Sequence, residues 1–260
     1  MQLATVYDKK IIQLKMSCQV LPVNKIDEAA KLMADAFSNS PGYTFIFQHD
    51  AEYRRKALEW LFQRNLILIQ RRCPSSFRGV LDESDKLIAC FLWTHSSHAN
   101  ISTWDMIKAG MWQIPFRFGT STLSRLLYAM EHMDQGELDC FQDCVSEGKD
   151  DSNLKSDVST KSSSSLHSTN PKPFVRLERM AVHTDYQGKG LGSKVLRSVI
   201  SETKIPMRLE TQEQRNVRFY ERVGYRVVGE VKACEDDDMY MFTSWFMTRD
   251  ADAITDSGTR

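Results

Sequence analysis

The chain has 260 residues, with Lys+Arg and Asp+Glu at 34 each; at roughly 150 residues per domain, this length makes one large domain or one domain carrying an insertion. A formal net charge of zero removes the global field that draws basic proteins onto nucleic acid or an anionic membrane, so neither is expected as a partner. Hydrophobic residues at 42% and charged ones at 26% match ordinary soluble usage and exclude a wholly disordered or fibrous chain.

Residues 1–16 form a leader that lacks a basic region followed by an apolar stretch and a cleavage site, so export is not expected. The expected location is cytoplasmic or nuclear. No apolar run approaches the roughly 18 residues of a membrane helix; the candidate Leu66 to Ile69 stops at Gln70-Arg71-Arg72. Cys18 to Val23 reads as a strand, and Asn24 with Asp27 three residues on reads as the cap of a helix. Ile26, Ala29, Ala30, Met33 and Phe37 give that helix an apolar face, and Ser40-Pro41-Gly42 ends it. A second helix is expected from about Ala51 to Arg71, burying Tyr53, Leu58, Leu61, Phe62 and Leu66 and turning Arg54, Arg55 and Lys56 to water. Phe77 to Leu81 and Leu87 to Trp93, joined by Asp82-Glu83-Ser84-Asp85, read as an antiparallel hairpin. Trp104 to Met133 is rich in Trp, Met and Phe, and Leu123, Leu126, Leu127, Met130 and Met133 recur at helical intervals.

Composition changes at Asp134. From there to Asn170 there are eight acidic residues, three lysines and nine serines, with too little apolar surface to offset the entropy of ordering them. Residues 134–170 are therefore expected to be a disordered insertion in a single domain of residues 17–248, with 249–260 a flexible tail. The six cysteines are too sparse for a disulfide framework. Cys140 and Cys144 have half-site spacing but no matching second pair, so no metal is expected.

The last third is the most patterned. Strand, helix, strand, helix, strand, strand are expected at Phe174 to Val182, about Gly190 to Thr203, Pro206 to Glu210, Glu213 to Val223, about Tyr225 to Val231, and Met239 to Met247, with Gly224 stopping the second helix. Between the first strand and helix lies Arg179-Met180-Ala181-Val182-His183-Thr184-Asp185-Tyr186-Gln187-Gly188-Lys189-Gly190-Leu191-Gly192-Ser193. A glycine-rich turn opening a helix presents backbone N–H groups with no intrahelical acceptor at the positive end of the helix dipole, which makes an anion site. A Walker loop fails, because Gly190 is followed by Leu191 where Lys is required. The dinucleotide fingerprint fails for want of its third glycine.

What remains, Gln187-x-x-Gly190-x-Gly192, resembles the acetyl-CoA-binding motif of the GNAT superfamily of N-acetyltransferases. About 24 residues beyond Gly192, Asn216-Val217-Arg218-Phe219-Tyr220-Glu221-Arg222-Val223-Gly224-Tyr225 is similar to that superfamily's second signature, with Asn216 and Tyr220 on one helix face. The resemblance is strong over roughly residues 172–247 and weaker across the N-terminal elements. It departs from the family at Thr184, where many relatives carry Pro, and in the long serine-rich insertion before the strand.

The resemblance implies a three-layer mixed α+β fold: a central, mainly antiparallel sheet with a V-shaped split near Val182 and helices on both faces. It assigns the pyrophosphate of acetyl-CoA to the backbone of Gln187, Gly188, Lys189, Gly190, Leu191 and Gly192, with Ser193 at the helix start. The pantetheine arm goes to the strand Met180, Ala181 and Val182, and Asn216 contacts the same cosubstrate. Met180 N–H would serve the oxyanion, and Tyr220, a phenol of reference pKa about 10, the departing sulfur. Strand alternation puts Arg176, Glu178, Met180 and Val182 on one face; Glu178 there accepts the amine's proton, positions a cationic substrate, or pairs with Arg176, Arg179 or Arg208. His183 reads as a loop histidine, and His95, His98 and His132 as candidates to line an acceptor site.

The expected function is transfer of an acetyl group from acetyl-CoA to a primary amine, a small molecule in preference to a protein, by direct attack in a ternary complex. No cysteine lies in either signature to support a covalent route. The competing expectations are a non-catalytic acyl-CoA-binding module and a protein or peptide N-acetyltransferase.

Overall fold

The computed structural model describes residues 18–97, 102–142, 173–234 and 240–251. Its strands are β1 (Gln19–Val20), β2 (Phe77–Leu81), β3 (Leu87–His95), β4 (Val175–Val182), β5 (Met207–Thr211), β6 (Arg226–Cys234) and β7 (Tyr240–Arg249). Its helices are α1 (Ile26–Phe37), α2 (Pro41–Ile46), α3 (Ala51–Arg72), α4 (Thr103–Lys108), α5 (Ile114–Phe118), α6 (Thr120–Gln142), α7 (Leu191–Glu202) and α8 (Gln214–Glu221). The strands form one sheet in the order β1-β2-β3-β4-β5-β7-β6. Every neighbour pair is antiparallel except β4 with β5.

The unbroken apolar run Leu87-Ile88-Ala89-Cys90-Phe91-Leu92-Trp93 predicts burial on both faces, and all seven side chains are buried. Cys90 and Leu92 point into one core with Ala29, Met33, Leu58, Phe62 and Leu66 of α1 and α3. Ala89, Phe91 and Trp93 point into a second core with Val195, Leu196 and Val199 of α7. The result is three layers, α1–α3 and α6 on one side of the sheet and α7 and α8 on the other. The β2–β3 turn closes as expected, Asp82 Oδ1 accepting from Ser84 N at 2.8 Å and Lys86 N at 3.0 Å, a local bonding habit of Asp that favours turns.

Several boundaries differ from the sequence reading. The first strand is only Gln19–Val20, because Val23–Lys25 coil into a 3-10 turn, and the cap of α1 is Lys25 rather than Asn24. Lys25 bonds both Glu28, at 3.1 Å, and Asp85, at 2.9 Å, and Glu28 accepts from Leu87 N at 2.7 Å; the start of α1 is thus tied to the hairpin. Ser40-Pro41-Gly42 starts α2 where it was expected only to end a helix. Arg54 is not on a solvated face: its guanidinium donates to the carbonyls of Ser38 and His49. Arg249, placed in the tail, is a buried strand residue paired with Met207.

The largest correction concerns the insertion. Residues 134–142 continue α6, while the remainder of the expected insertion, 143–170, lies outside the described residues. The helix holds because its acidic residues are spaced by groups that dock. Gly136 lies against the Phe246 ring, Glu137 pairs with Arg176, and Phe141 is buried edge-on to Phe246. Composition averaged these anchors away.

That docking yields a test in which two effects oppose each other. Ala in place of Gly in a helix interior usually stabilises by about 1 kcal/mol, but a Cβ on Gly136 would lie 2.7 Å from two ring atoms of the buried Phe246. Gly136→Ala is expected to destabilise by about 1–2 kcal/mol through overpacking, measured by urea denaturation.

Candidate functional site

Strands β4 and β5 pair only at Val175 with Met207 and Arg176 with Arg208. Past that point each keeps its other neighbour: β4 follows β3 to Val182, and β5 follows β7 to Thr211. The sheet is therefore split, and the opening begins already after Arg176 rather than near Val182. Amide groups of successive strand residues go to alternate edges. His183 N donates to Ile88 O of β3 at 2.9 Å, so Ala181 faces β3 as well, while Met180 and Val182 present their backbone to the split.

A bulge reorganises the strand beside this opening. Glu178 pairs with Leu92 and Ala181 with Cys90, so Arg179 and Met180 together oppose Phe91. Arg179 takes a φ of 51°, a left-handed conformation that is uncommon outside glycine. The extra residue overturns the expected alternation. Arg176 and Glu178 lie on the α1–α3 side, with Ala181 in that core, whereas Met180 and Val182 pack into the α7 core. Met180 lines a small apolar recess there with Phe91, Leu177, Val195, Leu196 and Val199.

The glycine loop sits at the end of β4. A short 3-10 turn, Thr184–Tyr186, leads into it, with His183 Nδ1 accepting from Asp185 N at 3.2 Å; Thr184 in place of Pro leaves the turn intact, and His183 serves the turn. Gln187 Nε2 donates to Val182 O at 2.8 Å, pinning the loop to the strand and occupying one of the carbonyls that face the split. Gly188 and Gly190 have φ of 70° and 77°, and a Cβ on either would meet nothing within 4 Å. Left-handed backbone with open space above it is a concave cradle for a ligand. The first bond into the helix is Lys194 N to Gly190 O at 3.1 Å, so the N–H groups of Leu191, Gly192 and Ser193 precede it and lack intrahelical acceptors. Gly192 plays a different part, lying close to the Phe219 ring of α8. Exposed Lys189 and Lys194 flank the cradle.

Asn216 and Tyr220 lie on α8. Asn216 does not cap the helix, whose cap is Glu213. Tyr220 packs into the α7 core between Phe219 and Tyr225, and burial pushes its phenol above the ordinary range. Gly224, with φ of 93°, ends the segment as expected, and Tyr225 N returns to Tyr220 O at 3.1 Å.

On the other side of the sheet the split exposes a polar floor that the sequence reading missed apart from Glu178. Glu210 of β5 accepts at Oε1 from Ser244 Oγ of β7 at 2.6 Å and from Gln212 Nε2 at 3.1 Å, and Gln212 Oε1 accepts from Gly42 N of α2 at 2.8 Å. Burial, ahead of the nearby carboxylates Glu137 and Glu178, raises the Glu210 pKa above the usual carboxylate range. Tyr43 is raised by burial as well, against the pull of Arg179. None of the arginines considered as partners takes Glu178: Arg176 pairs with Glu137, Arg179 donates to Asn65 Oδ1 and covers Phe62, and Arg208 lies between the Phe141 and Phe174 rings. The visible signal for Glu210 was a lone acid alternating with buried Leu209 and Thr211. His95 is bonded to Ser97 at the far end of β3, His132 lies on α6 between Tyr128 and Phe242, and His98 lies outside the described residues. Among the described residues no group of His, Cys, Asp and Glu is arranged to hold a metal ion, and no helix is long and apolar enough to cross a membrane.

A split, mainly antiparallel sheet with a glycine-rich anion cradle at one side of the split defines an acetyltransferase-type fold. Residues 160–227 match the family model of the acetyltransferase (GNAT) domain. Solved structures of low identity share the fold. A putative arylalkylamine N-acetyltransferase 7 from the yellow fever mosquito Aedes aegypti superposes with a TM-score of 0.57 at 10% identity, covering 91% of this chain and 88% of its own. A polyamine N-acetyltransferase from Drosophila melanogaster gives 0.54 at 8%, covering 90% and 99%. A protein described as histone acetyltransferase HPA2 and related acetyltransferase, from Corynebacterium glutamicum, gives 0.52 at 14%, covering 90% and 96%.

The two kinds of signature glycine respond differently to a methyl group. Gly190→Ala forces a left-handed residue and is expected to cost about 1 kcal/mol of stability, whereas Gly192→Ala, whose Cβ would make an ordinary 3.5 Å contact, is expected to change stability by under about 0.5 kcal/mol. Denaturation midpoints of the two variants decide this.

Proposed function

We propose that the protein is an N-acetyltransferase that moves an acetyl group from acetyl-CoA to a primary amine, a small molecule, by direct attack in a ternary complex. The observation that carries the reading is the split itself. It places the backbone edge of Met180 and Val182 between a glycine cradle suited to a pyrophosphate on one side of the sheet and a carboxylate-lined floor on the other. The low-identity neighbours with small-amine acceptors, polyamine and arylalkylamine N-acetyltransferases, add support for the acceptor class.

In this reading the N–H groups from Gly188 to Ser193 bind the pyrophosphate, with the glycines admitting close approach, while Gln187, whose N–H is bonded to Thr184 O and whose side chain is bonded to Val182 O, holds the loop in place. The strand edge of Met180, Ala181 and Val182, with Asn216 of α8, positions the pantetheine arm. Met180 N–H, in the bulge, stabilises the tetrahedral oxyanion. Tyr220 keeps its proton at working pH because burial raises its pKa, and so donates a hydrogen bond or proton to the departing sulfur. Glu178, free of the neighbouring arginines, holds a cationic amine or accepts its proton.

The test is thiol release from acetyl-CoA against polyamines, amino acids, aminoglycosides, arylalkylamines and basic peptides. Acceptor-dependent release is expected, falling about 100-fold in Tyr220→Phe. Tight coenzyme binding without turnover on any amine would establish a binding module instead, and turnover confined to peptides a protein acetyltransferase.

A further inference from the structure

The polar floor of the split is built around one carboxyl group. Glu210 lies on β5 beyond the last residue that pairs with β4, so its strand forms one wall of the opening. Both of its protein hydrogen bonds reach Oε1, and both come from neutral donors, Ser244 Oγ and Gln212 Nε2. Gln212 is itself fixed by Gly42 N at the start of α2. Three elements therefore hold the side chain in one orientation, while Oε2 takes no hydrogen bond from any described residue. Glu210 is half-buried, and a carboxylate withdrawn from water ordinarily has a cationic partner. No cation among the described residues is bonded to Glu210: Arg179 of β4 donates to Asn65 Oδ1 and covers Phe62, Arg176 of β4 pairs with Glu137 of α6, Arg208 of β5 lies over two aromatic rings, and the remaining groups nearby are the Glu178 carboxylate and the Tyr43 phenol.

We propose that Glu210 is the catalytic proton acceptor of this site, that its open oxygen receives the ammonium of the incoming acceptor, and that Glu178 across the split supplies the second half of a cation-binding pair. The proposal rests on the transferase reading above and names its acceptors as amines that arrive protonated. The ammonium gives one proton to Glu210 Oε2, leaving a neutral amine. The nitrogen lone pair forms the C–N bond to the thioester carbon, the C–S bond breaks, and the sulfur leaves with its electron pair. A second proton from the nitrogen ends on the sulfur, giving amide and free thiol, and Glu210 returns its proton to solvent. Burial, and after it the like charges of Glu137 and Glu178, favour the protonated form of Glu210, so its carboxylate form is stabilised by a positive ligand.

Deprotonated Glu210 is the active form, so the rate must fall as pH drops through its raised pKa. The experiment is kcat against pH with the best amine of the panel, in the wild type, Glu210→Gln and Ser244→Ala, with coenzyme affinity measured separately. Glu210→Gln is expected to lose about 100-fold in kcat and the acidic limb, with coenzyme affinity unchanged. Ser244→Ala removes a bond that favours the carboxylate and is expected to move the acidic limb to higher pH, a shift that a purely structural role would not produce. Wild-type turnover with an unaltered limb in both variants overturns the assignment of Glu210 alone. If Glu210→Gln does not fold, an unmoved limb in Ser244→Ala overturns it. Absence of wild-type turnover on every amine removes the transferase reading and this assignment with it.

Discussion

The structure turns on the loss of pairing between two strands. Backbone N–H and C=O groups of a sheet interior are ordinarily satisfied by their neighbours, and an unpaired edge inside a protein is costly. Here β4 and β5 pair at two positions and then give up the ladder, so each presents a free edge in the middle of the molecule. The bulge at Arg179 and Met180 occurs just where the pairing has ended, and a bulge bends and twists the strand that carries it. Part of the exposed edge is satisfied internally, Val182 O by Gln187. The rest is backbone hydrogen-bonding capacity that an extended ligand arm can take up.

The same bulge divides the site into two chemistries. Before it, odd-numbered positions of β4 point to the α7 core; after it, even-numbered ones do. Glu178 and Arg179 therefore reach the polar floor, and Met180 and Val182 reach the apolar recess, although they are close neighbours in sequence. Regular alternation continued from Val175 and Leu177 would have turned Met180 and Val182 to the polar floor and Ala181 into the α7 core. One inserted residue returns Met180 and Val182 to the apolar side.

How legible this was depended on how local each signal is. The loop, the α7 start and the Gly224 stop were readable because glycine conformation and helix capping act within a few residues. The hairpin and the buried β3 were readable from turn chemistry and an apolar run. The bulge was not, because Arg179 adopts its φ of 51° with no glycine to advertise it. Residues 134–142 read as disordered because average composition hid three docking points, Gly136, Glu137 and Phe141, that only the partner strands reveal. Glu210 went unnoticed because a single acid in a strand looks solvent-facing until its partners, Ser244 34 residues away and Gln212 braced by Gly42, are placed beside it.

Charge accounting connects these pieces. Each arginine on β4 and β5 that could neutralise the floor is engaged elsewhere: Arg176 with Glu137, Arg179 with Asn65, Arg208 with two aromatic rings. The Glu178 and Glu210 carboxylates repel one another, and an ammonium between two like charges would reverse the sign of that balance. A chain with zero net charge thus keeps a local surplus of negative charge at the point where β4 and β5 diverge. Selection of an ammonium acceptor there, as proposed, would need no long-range field, since the 34 charges of each sign cancel over the whole chain and the local arrangement alone would discriminate.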